Sequence, residues 1–304
     1  MQKIVVTGGA GFLGSHLSRE LSARGYEVHI VDNMVGAFAG RELPNVPLHK
    51  IDIRDKEALR TLFTSLGDIA GIFHTAALPR VQFSIDYPEE SHDVNVNGTL
   101  TLLLLAKELG VGKIVYSASS SAYGEQDTLP LHEGMIPNPK SPYALQKYVG
   151  EHYCRVFSVV HGLPTVSLRY FNLYGPGSDP NGPYAQAVSK FLDFRLQGKP
   201  LTITGDGEQT RDLVHVSDVV RANILAFENK AVSSGEVINI GSGKNYSVNE
   251  IARMIGGEAI HIAPRIEPKH TKADISLAKK LLGWEPTISL EEGIAELKKS
   301  AGLV

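Results

Sequence analysis

Tyr143 and Lys147 stand four residues apart in Tyr143-Ala144-Leu145-Gln146-Lys147, and on a helix that spacing places a phenol and an ammonium on one face. A phenol titrating near ~10 is a poor base at neutral pH, but an adjacent cation favours its phenolate. The pair can therefore exchange a proton with a hydroxyl or carbonyl oxygen. Tyr-x-x-x-Lys is common by chance, so its company matters. Upstream, Ser117-Ala118-Ser119-Ser120-Ser121-Ala122-Tyr123-Gly124 ends a strand-like run, where hydroxyls reach the same crevice. Tyr143, Lys147 and a hydroxyl of that serine run are the candidate catalytic set.

A second constellation lies at the other end of the chain. Thr7-Gly8-Gly9-Ala10-Gly11-Phe12-Leu13-Gly14 falls between a strand-like and a helix-like segment. Glycines there make a tight turn, admit a pyrophosphate and let the helix pack closely on the strand. The helix amino terminus then offers unpaired N–H groups to the phosphates. Asp32 follows 18 residues beyond Gly14, at the end of the second strand. A carboxylate there accepts from both adenosine ribose hydroxyls and repels a 2′-phosphate, which favours NAD over NADP.

Both constellations need strands that end on one side of a sheet. Lys3–Thr7, Glu27–Asp32, a segment ending near Ile51, Gly71–His74, Lys113–Ser117 and Thr165–Arg169 read as strands. Gly11–Arg24, Asp55–Thr64, Glu90–Leu109 and Ser141–His161 read as helices between them. That alternation predicts an α/β fold, a Rossmann-type doubly wound parallel sheet over residues 1–172. From Leu173 to Tyr184 the density of Gly, Pro, Asn and Asp predicts a loop. Beyond it a smaller C-terminal substrate-binding α/β region over residues 173–304 is expected. Its helices fall near Ala185–Gln197, Ser217–Phe227, Asn249–Met254, Ile275–Leu282 and Leu290–Lys299, and its strands at Leu201–Thr204, Val237–Ile240 and Ile260–Ile262. The chain can cross between the two regions, and a ligand belongs in the crevice at the strands' carboxyl ends.

Composition removes other classes. Thirty Lys and Arg against 33 Asp and Glu leave a charge of −3, with no general attraction for nucleic acid or anionic lipid. The longest apolar stretch, around Leu102–Ala106, falls far short of the ~20 residues that span a bilayer. With no export signal read at Met1, a cytoplasmic protein is expected. The single cysteine, Cys154, reads as a buried helical thiol, and the eleven histidines form no recognised ligand spacing, so no metal is expected.

Taken together, these stretches resemble the extended short-chain dehydrogenase/reductase family over nearly the whole chain. Besides the glycine turn and Tyr143/Lys147, the resemblance rests on Asp32-Asn33, Asp52-Ile53, His74-Thr75-Ala76-Ala77, Asn95-Val96-Asn97-Gly98-Thr99, Arg169-Tyr170-Phe171-Asn172 and Arg211-Asp212. It implies that Gly8, Gly11, Phe12, Leu13 and Gly14 form the NAD phosphate turn and that Asp32 and Asn33 hold the adenosine ribose. It further implies that Asp52 and Ile53 flank the adenine, and that Thr75, Ala76, Ala77, Asn95, Ser117 and Tyr170 line the rest of the cofactor site. Ser119 occupies the position of the family's catalytic Ser/Thr.

Within the family the chain looks most like the UDP-sugar 4-epimerases. The implied chemistry is oxidation and return at C4, with Tyr143 as base, Ser119 on the reacting oxygen and Lys147 on the nicotinamide ribose. The resemblance puts Ser120, Asn172, Thr202, Thr204 and Arg211 against the substrate. Arg265, in Pro264-Arg265-Ile266-Glu267, stands one position away from a second phosphate arginine. Thr271 replaces the tyrosine that closes the sugar site of plain hexose epimerases, leaving room for an acetamido group. UDP-N-acetylglucosamine and UDP-N-acetylgalactosamine are thus expected substrates, alongside UDP-glucose and UDP-galactose. Arg80 leaves UDP-glucuronate as an alternative. A 4,6-dehydratase needs an Asp-Glu pair where Ser120 and Ser121 stand, and a non-catalytic NAD sensor often lacks the tyrosine. The family commonly pairs its two long helices, here Glu90–Leu109 and Ser141–His161, into a homodimeric four-helix bundle.

Overall fold

The computed structural model describes residues 1–36, 43–180, 187–264 and 269–303. The first half alternates β1 (Lys3–Thr7), α1 (Phe12–Ala23), β2 (Glu27–Val31), β3 (Leu48–His49), α2 (Lys56–Leu66), β4 (Ile69–His74), α3 (Val81–Asp86) and α4 (Pro88–His92). A π-helical segment (Asp93–Gly98) leads into α5 (Thr99–Glu108), followed by β5 (Ile114–Ser119), a 3₁₀ turn (Ser120–Tyr123), α6 (Pro142–His161) and β6 (Thr165–Tyr170). Then come β7 (Asn172–Tyr174), α7 (Ala187–Leu196), β8 (Leu201–Thr204), β9 (Thr210–Arg211), β10 (Leu213–His215), α8 (Val216–Glu228) and β11 (Ser234–Ile240). The chain finishes with β12 (Tyr246–Ser247), α9 (Val248–Ile255), β13 (Ala259–Ile262), α10 (Ser276–Leu282) and α11 (Leu290–Ser300).

Seven strands make one sheet in the order β11-β6-β5-β4-β1-β2-β3, every pairing parallel. Because side chains alternate across a strand, neighbouring core residues go to opposite faces. Ile4, Val6, Phe73 and Val115 pack with Leu17 and Leu21 of α1 and Val219 and Ile224 of α8. Val5, Ile72 and Ile114 pack with Leu59 and Phe63 of α2, Leu102 of α5 and Phe157 of α6. Each such Leu or Ile contributes about 1.5–3 kcal/mol on full burial. The fold is therefore an α/β Rossmann-type sheet covered on both faces. A further core around Phe191, Ile203, Leu213, Ile251 and Ile294 holds the C-terminal elements.

Three expectations are corrected. Glu90–Leu109 is not one regular helix, since a π segment interrupts it at Asp93–Gly98. There Gly98 lies so close to Ile53 that a Cβ would meet its side chain at 2.6 Å, and the Thr99 hydroxyl donates back to the Asn95 carbonyl at 2.7 Å. Residues 173 and 174 are strand, not loop: β7 pairs in parallel with β10, a distant pairing that outweighs the turn-rich composition. Residues 181–184 of that expected loop lie outside the described residues. Val237–Ile240 belongs to a longer strand, β11, which joins the large sheet beside β6 rather than the smaller region. Cys154 is the buried thiol its helical setting suggests.

Candidate active site

The glycine turn links β1 to α1 as its spacing predicts. Gly8 sits at φ +70°, and a Cβ on it would meet the Ala76 backbone at 2.7 Å. A Cβ on Gly14 would meet the Gly8 carbonyl at 2.1 Å, so any side chain there would push helix and turn apart. Phe12 and Leu13 open α1, which starts at Gly11 with neither a side-chain cap nor an acidic residue in its first turn. An uncapped, uncharged helix start facing a turn of small residues fits an anionic pyrophosphate.

Asp32, just past β2, accepts from the Ala10 amide at 3.0 Å and the Met34 amide at 2.7 Å, which fixes its carboxylate beside the turn. Asn33 donates to Asp52 at 2.9 Å. Arg54, absent from the sequence reading, donates to Asp52 at 2.8 Å and to Asp93 at 3.1 Å. Its hydrogen bond is the main reason the Asp52 carboxyl lies well below the usual range. Asp52 thus stays charged and braced next to Asn33. Ile53 is buried in the core beneath.

The segment after β4 carries Thr75, Ala76 and Ala77, all half-buried. Thr75 donates to the Thr7 carbonyl at 2.7 Å. Asn95, in the π segment, accepts from the Leu78 amide at 2.8 Å and donates to the Leu78 carbonyl at 3.1 Å, so it shapes this segment from below. His74 bridges the Thr7 and Thr99 hydroxyls at 2.8 and 2.9 Å. Burial pushes it down to about 3, and it is a neutral structural imidazole.

The 20-residue helix α6 starts at Ser141, whose hydroxyl caps the Ala144 amide, and stops at Gly162 in the left-handed region. Its first turns carry Tyr143, Gln146 and Lys147. Gln146, which pattern reading passes over, is buried and receives Asn95 Nδ2 at 2.8 Å while donating to Ser91 at 2.7 Å. These bonds set the helix's rotation. Tyr143 faces Ser119 at the end of β5; burial raises the phenol to about 12, and the Ser119 hydroxyl beside it opposes that rise. Lys147 donates to the Ser117 carbonyl at 2.9 Å. The Ser117 hydroxyl lies 3.3 Å from that of Tyr170, which in turn donates to Asn223 at 2.8 Å. Ser119, Tyr143, Lys147, Ser117 and Tyr170 therefore converge at the carboxyl ends of β5 and β6.

Lys147 is 4% exposed, and desolvation holds its ammonium down to about 8, opposed by the nearby Cys154 and Glu151 side chains. Two outcomes follow. A reaction that needs the ammonium declines as pH rises through about 8, read as the alkaline limb of the rate profile. The stability sign runs the other way. Between about 8 and the unfolded value of 10.5 the unfolded chain binds the extra proton, so stability rises with pH across that window and the buried charge costs stability below it. Lys147→Met is expected to be inactive yet to gain on the order of 2 kcal/mol at pH 7. Thermal melts from pH 7 to 10.5 should show that gain narrowing.

The expected substrate residues lie on the second region's elements. Asn172 donates to the Asp212 carbonyl at 3.0 Å. On β8 the Leu201 and Gly205 amides donate toward β13, which by strand alternation turns the Thr202 and Thr204 amides to the opposite edge. Arg211 is half-buried and donates to the Thr210 carbonyl at 2.9 Å. Asp212 is fully buried, accepting from the Ser242, Gly243 and Ala273 amides. Its own amide donates to the Thr271 hydroxyl at 3.2 Å, which places Thr271 beside Arg211. Ser120 lies half-buried in the 3₁₀ turn, and Arg265 lies outside the described residues. Among the described residues no group of three or more His, Cys, Asp or Glu could hold a metal ion, and no helix is long and apolar enough to cross a membrane.

A doubly wound sheet, a glycine turn with a carboxylate at the second strand and a Ser/Tyr/Lys cluster at the strand ends define a dinucleotide-dependent enzyme of the extended short-chain dehydrogenase/reductase type. The family model described as the NAD dependent epimerase/dehydratase family matches residues 4–241. A putative UDP-glucose 4-epimerase of Methanocaldococcus jannaschii is 40% identical over 96% of this chain and 95% of its own. A UDP-glucuronate 4-epimerase of Thermodesulfobacterium geofontis is 36% identical over 95% of this chain and 93% of its own. The crystal structure of the Thermotoga maritima UDP-glucose 4-epimerase with UDP-glucose superposes with a TM-score of 0.93 at 38% identity, covering 98% and 99% of the two chains. The chain belongs to the NAD dependent epimerase/dehydratase family, as an isomerase of its 4-epimerase group with NAD as cofactor.

Proposed function

We propose that the chain interconverts UDP-hexoses at C4 through a transient 4-keto sugar. The observation that carries this reading is the convergence of Ser119, Tyr143 and a buried Lys147 at the carboxyl end of β5, with serines at 120 and 121 where dehydration would need carboxylates. The Gly8–Gly14 turn, Asp32 and Asn33 would hold the adenosine and pyrophosphate of NAD, and Lys147 the nicotinamide ribose. Bound there, NAD supplies a reversible hydride acceptor.

Tyr143 as phenolate takes the proton of the sugar 4-hydroxyl, and Ser119 keeps the same oxygen hydrogen-bonded through the change from alcohol to ketone. Lys147 stabilises the phenolate electrostatically before that transfer, and Tyr143 then returns the proton to the 4-oxygen on the sugar's other face. The edge of β8 at Thr202 and Thr204 pairs with uracil, while Asn172, Arg211 and Arg265 meet the pyrophosphate. Firm anchoring of the nucleotide lets the hexose turn without leaving.

Thr271 in place of a larger ring supports UDP-N-acetylglucosamine and UDP-N-acetylgalactosamine as substrates beside the plain hexoses. In this reading residues 1–172 bind the cofactor and 173–304 the sugar nucleotide, with β11 crossing back. The chain pairs as a homodimer through α6 and the helix before β5. An exposed apolar stripe supports this: Leu145, Val156, Val159 and Val160 on α6 and Leu104 on α5 are all at least 40% exposed. Separate incubations with UDP-N-acetylglucosamine, UDP-glucose and UDP-glucuronate, resolving each 4-epimer, test the reading. Conversion of the acetylated sugar supports the open site at Thr271. Conversion of UDP-glucose alone removes that argument, and conversion of UDP-glucuronate alone transfers the role to Arg80.

A further inference from the structure

We propose that Ser121 is a positioning residue that points the single proton of Ser119 at the Tyr143 oxygen. The inference rests on the proposed proton transfer at Tyr143 and concerns how the serine beside it is oriented. Ser119 closes β5 and caps the 3₁₀ turn that follows, its hydroxyl oxygen accepting from the Ser121 amide at 3.2 Å. The Ser121 hydroxyl lies 2.8 Å from the same oxygen. A serine hydroxyl has one proton and two lone pairs. With the Ser121 amide on one lone pair and the Ser121 hydroxyl donating to the other, only the proton is left, and Tyr143 is the remaining partner.

The reverse orientation, with Ser119 donating to Ser121, leaves the Tyr143 oxygen without that donor. A hydrogen bond to a phenolate is charge-assisted and stronger than one between neutral hydroxyls. Before the sugar is deprotonated the arrangement is therefore a relay in which the Ser121 hydroxyl donates to Ser119 and Ser119 donates to the Tyr143 phenolate; as Tyr143 takes the sugar's proton, Ser119 turns its own to the 4-oxygen. The turn that carries Ser121 is braced from both sides. The Gly124 amide donates to the Ser121 carbonyl at 3.1 Å, and the Asn138 amide donates to the Ala122 carbonyl at 3.0 Å. Gly124, at φ +61°, lies where a Cβ would fall 1.9 Å from the Asn138 carbonyl oxygen.

The test uses Ser121→Ala, Ser121→Thr, Ser119→Ala and the double alanine variant in the full-length protein, with kcat and KM followed across pH on the UDP-sugar the wild type converts fastest. Ser121→Ala should lose roughly tenfold in kcat at neutral pH with KM held within about twofold. Its acid limb should move up by roughly half a unit as Ser119, no longer receiving the Ser121 hydroxyl's bond, donates more weakly to the phenolate. Ser121→Thr, which keeps the hydroxyl, should restore most of the rate. In a Ser119→Ala background, removing Ser121 should cost nothing more, since the relay has lost its middle member. An unchanged acid limb in Ser121→Ala, or an equal loss with and without Ser119, would overturn the proposal. If Ser121→Ala melts well below wild type, Ser121→Thr and Ser121→Cys decide instead: the thiol, a weak donor, should fall between alanine and threonine in rate. Failure of the wild type on every UDP-sugar would defeat the proton-transfer reading itself, whereas an active wild type with an indifferent Ser121 would defeat only the relay.

Discussion

Tyr143→Phe is expected to reduce epimerisation by about a thousandfold or more, within the ~10²–10⁴ that a positioned acid–base group contributes. Three decades correspond to about 4 kcal/mol of transition-state stabilisation. The loss should fall almost entirely on kcat, because the ring stays and only the hydroxyl goes. The Tyr143 backbone amide donates to the Ser84 hydroxyl at 3.0 Å, a bond in which the phenol takes no part, so the helix start is kept. Steady-state rates beside a thermal melt check both halves. A variant that melts like wild type and retains more than about a tenth of the rate would mean another group moves the proton.

The second large effect concerns stability. Glu151, one turn beyond Lys147 on α6, accepts from Arg169 of β6 at 2.8 and 2.7 Å in a bidentate pair. Both are almost fully buried, at 2% and 3% exposure, and the guanidinium lies 4.6 Å from the centre of the Tyr123 ring. Burial pushes the Glu151 carboxyl up, and the bonds from Arg169 oppose it. Glu151→Ala leaves a buried cation without its counter-charge, at a cost of about 3–5 kcal/mol. For a chain of this size that lowers the melting temperature by roughly 5–8 °C. Glu151→Ala with Arg169→Met removes both charges and should recover a substantial part of the loss. Equal melting temperatures for the single and double variants would show that packing, not the orphaned charge, carries the effect.

Much of the site could be read before any coordinates, because its signals are local. The Gly8–Gly14 turn needs only its place between strand and helix, and Tyr143 and Lys147 need only helical spacing. Asp32 needs only the end of the next strand. What escaped depends on partners distant in the chain. Arg54 bridges Asp52 and Asp93 across 39 residues, and Gln146 reaches Ser91 and Asn95 across more than 50. β7 exists because β10 pairs with it; nothing within Leu173–Tyr174 announces a strand among so many turn formers. The π segment is equally silent, since a single unspecific glycine lets the Asn95 turn widen against Ile53. In the sequence Ser121 reads only as a missing carboxylate, and its 2.8 Å approach to Ser119 depends on the tight turn after β5.

The most direct test of the central claim is the fate of hydrogen at C4. UDP-glucose, or whichever UDP-sugar converts fastest, is prepared with deuterium on C4 and epimerised to equilibrium in ordinary water, and each epimer is then examined by mass and proton NMR. Oxidation and return on one bound sugar predicts that both epimers keep the deuterium at C4, while the 4-hydroxyl proton, passed through Tyr143, exchanges freely. Loss of the label to water at a rate matching inversion would contradict the account, since C4 would then be deprotonated rather than oxidised.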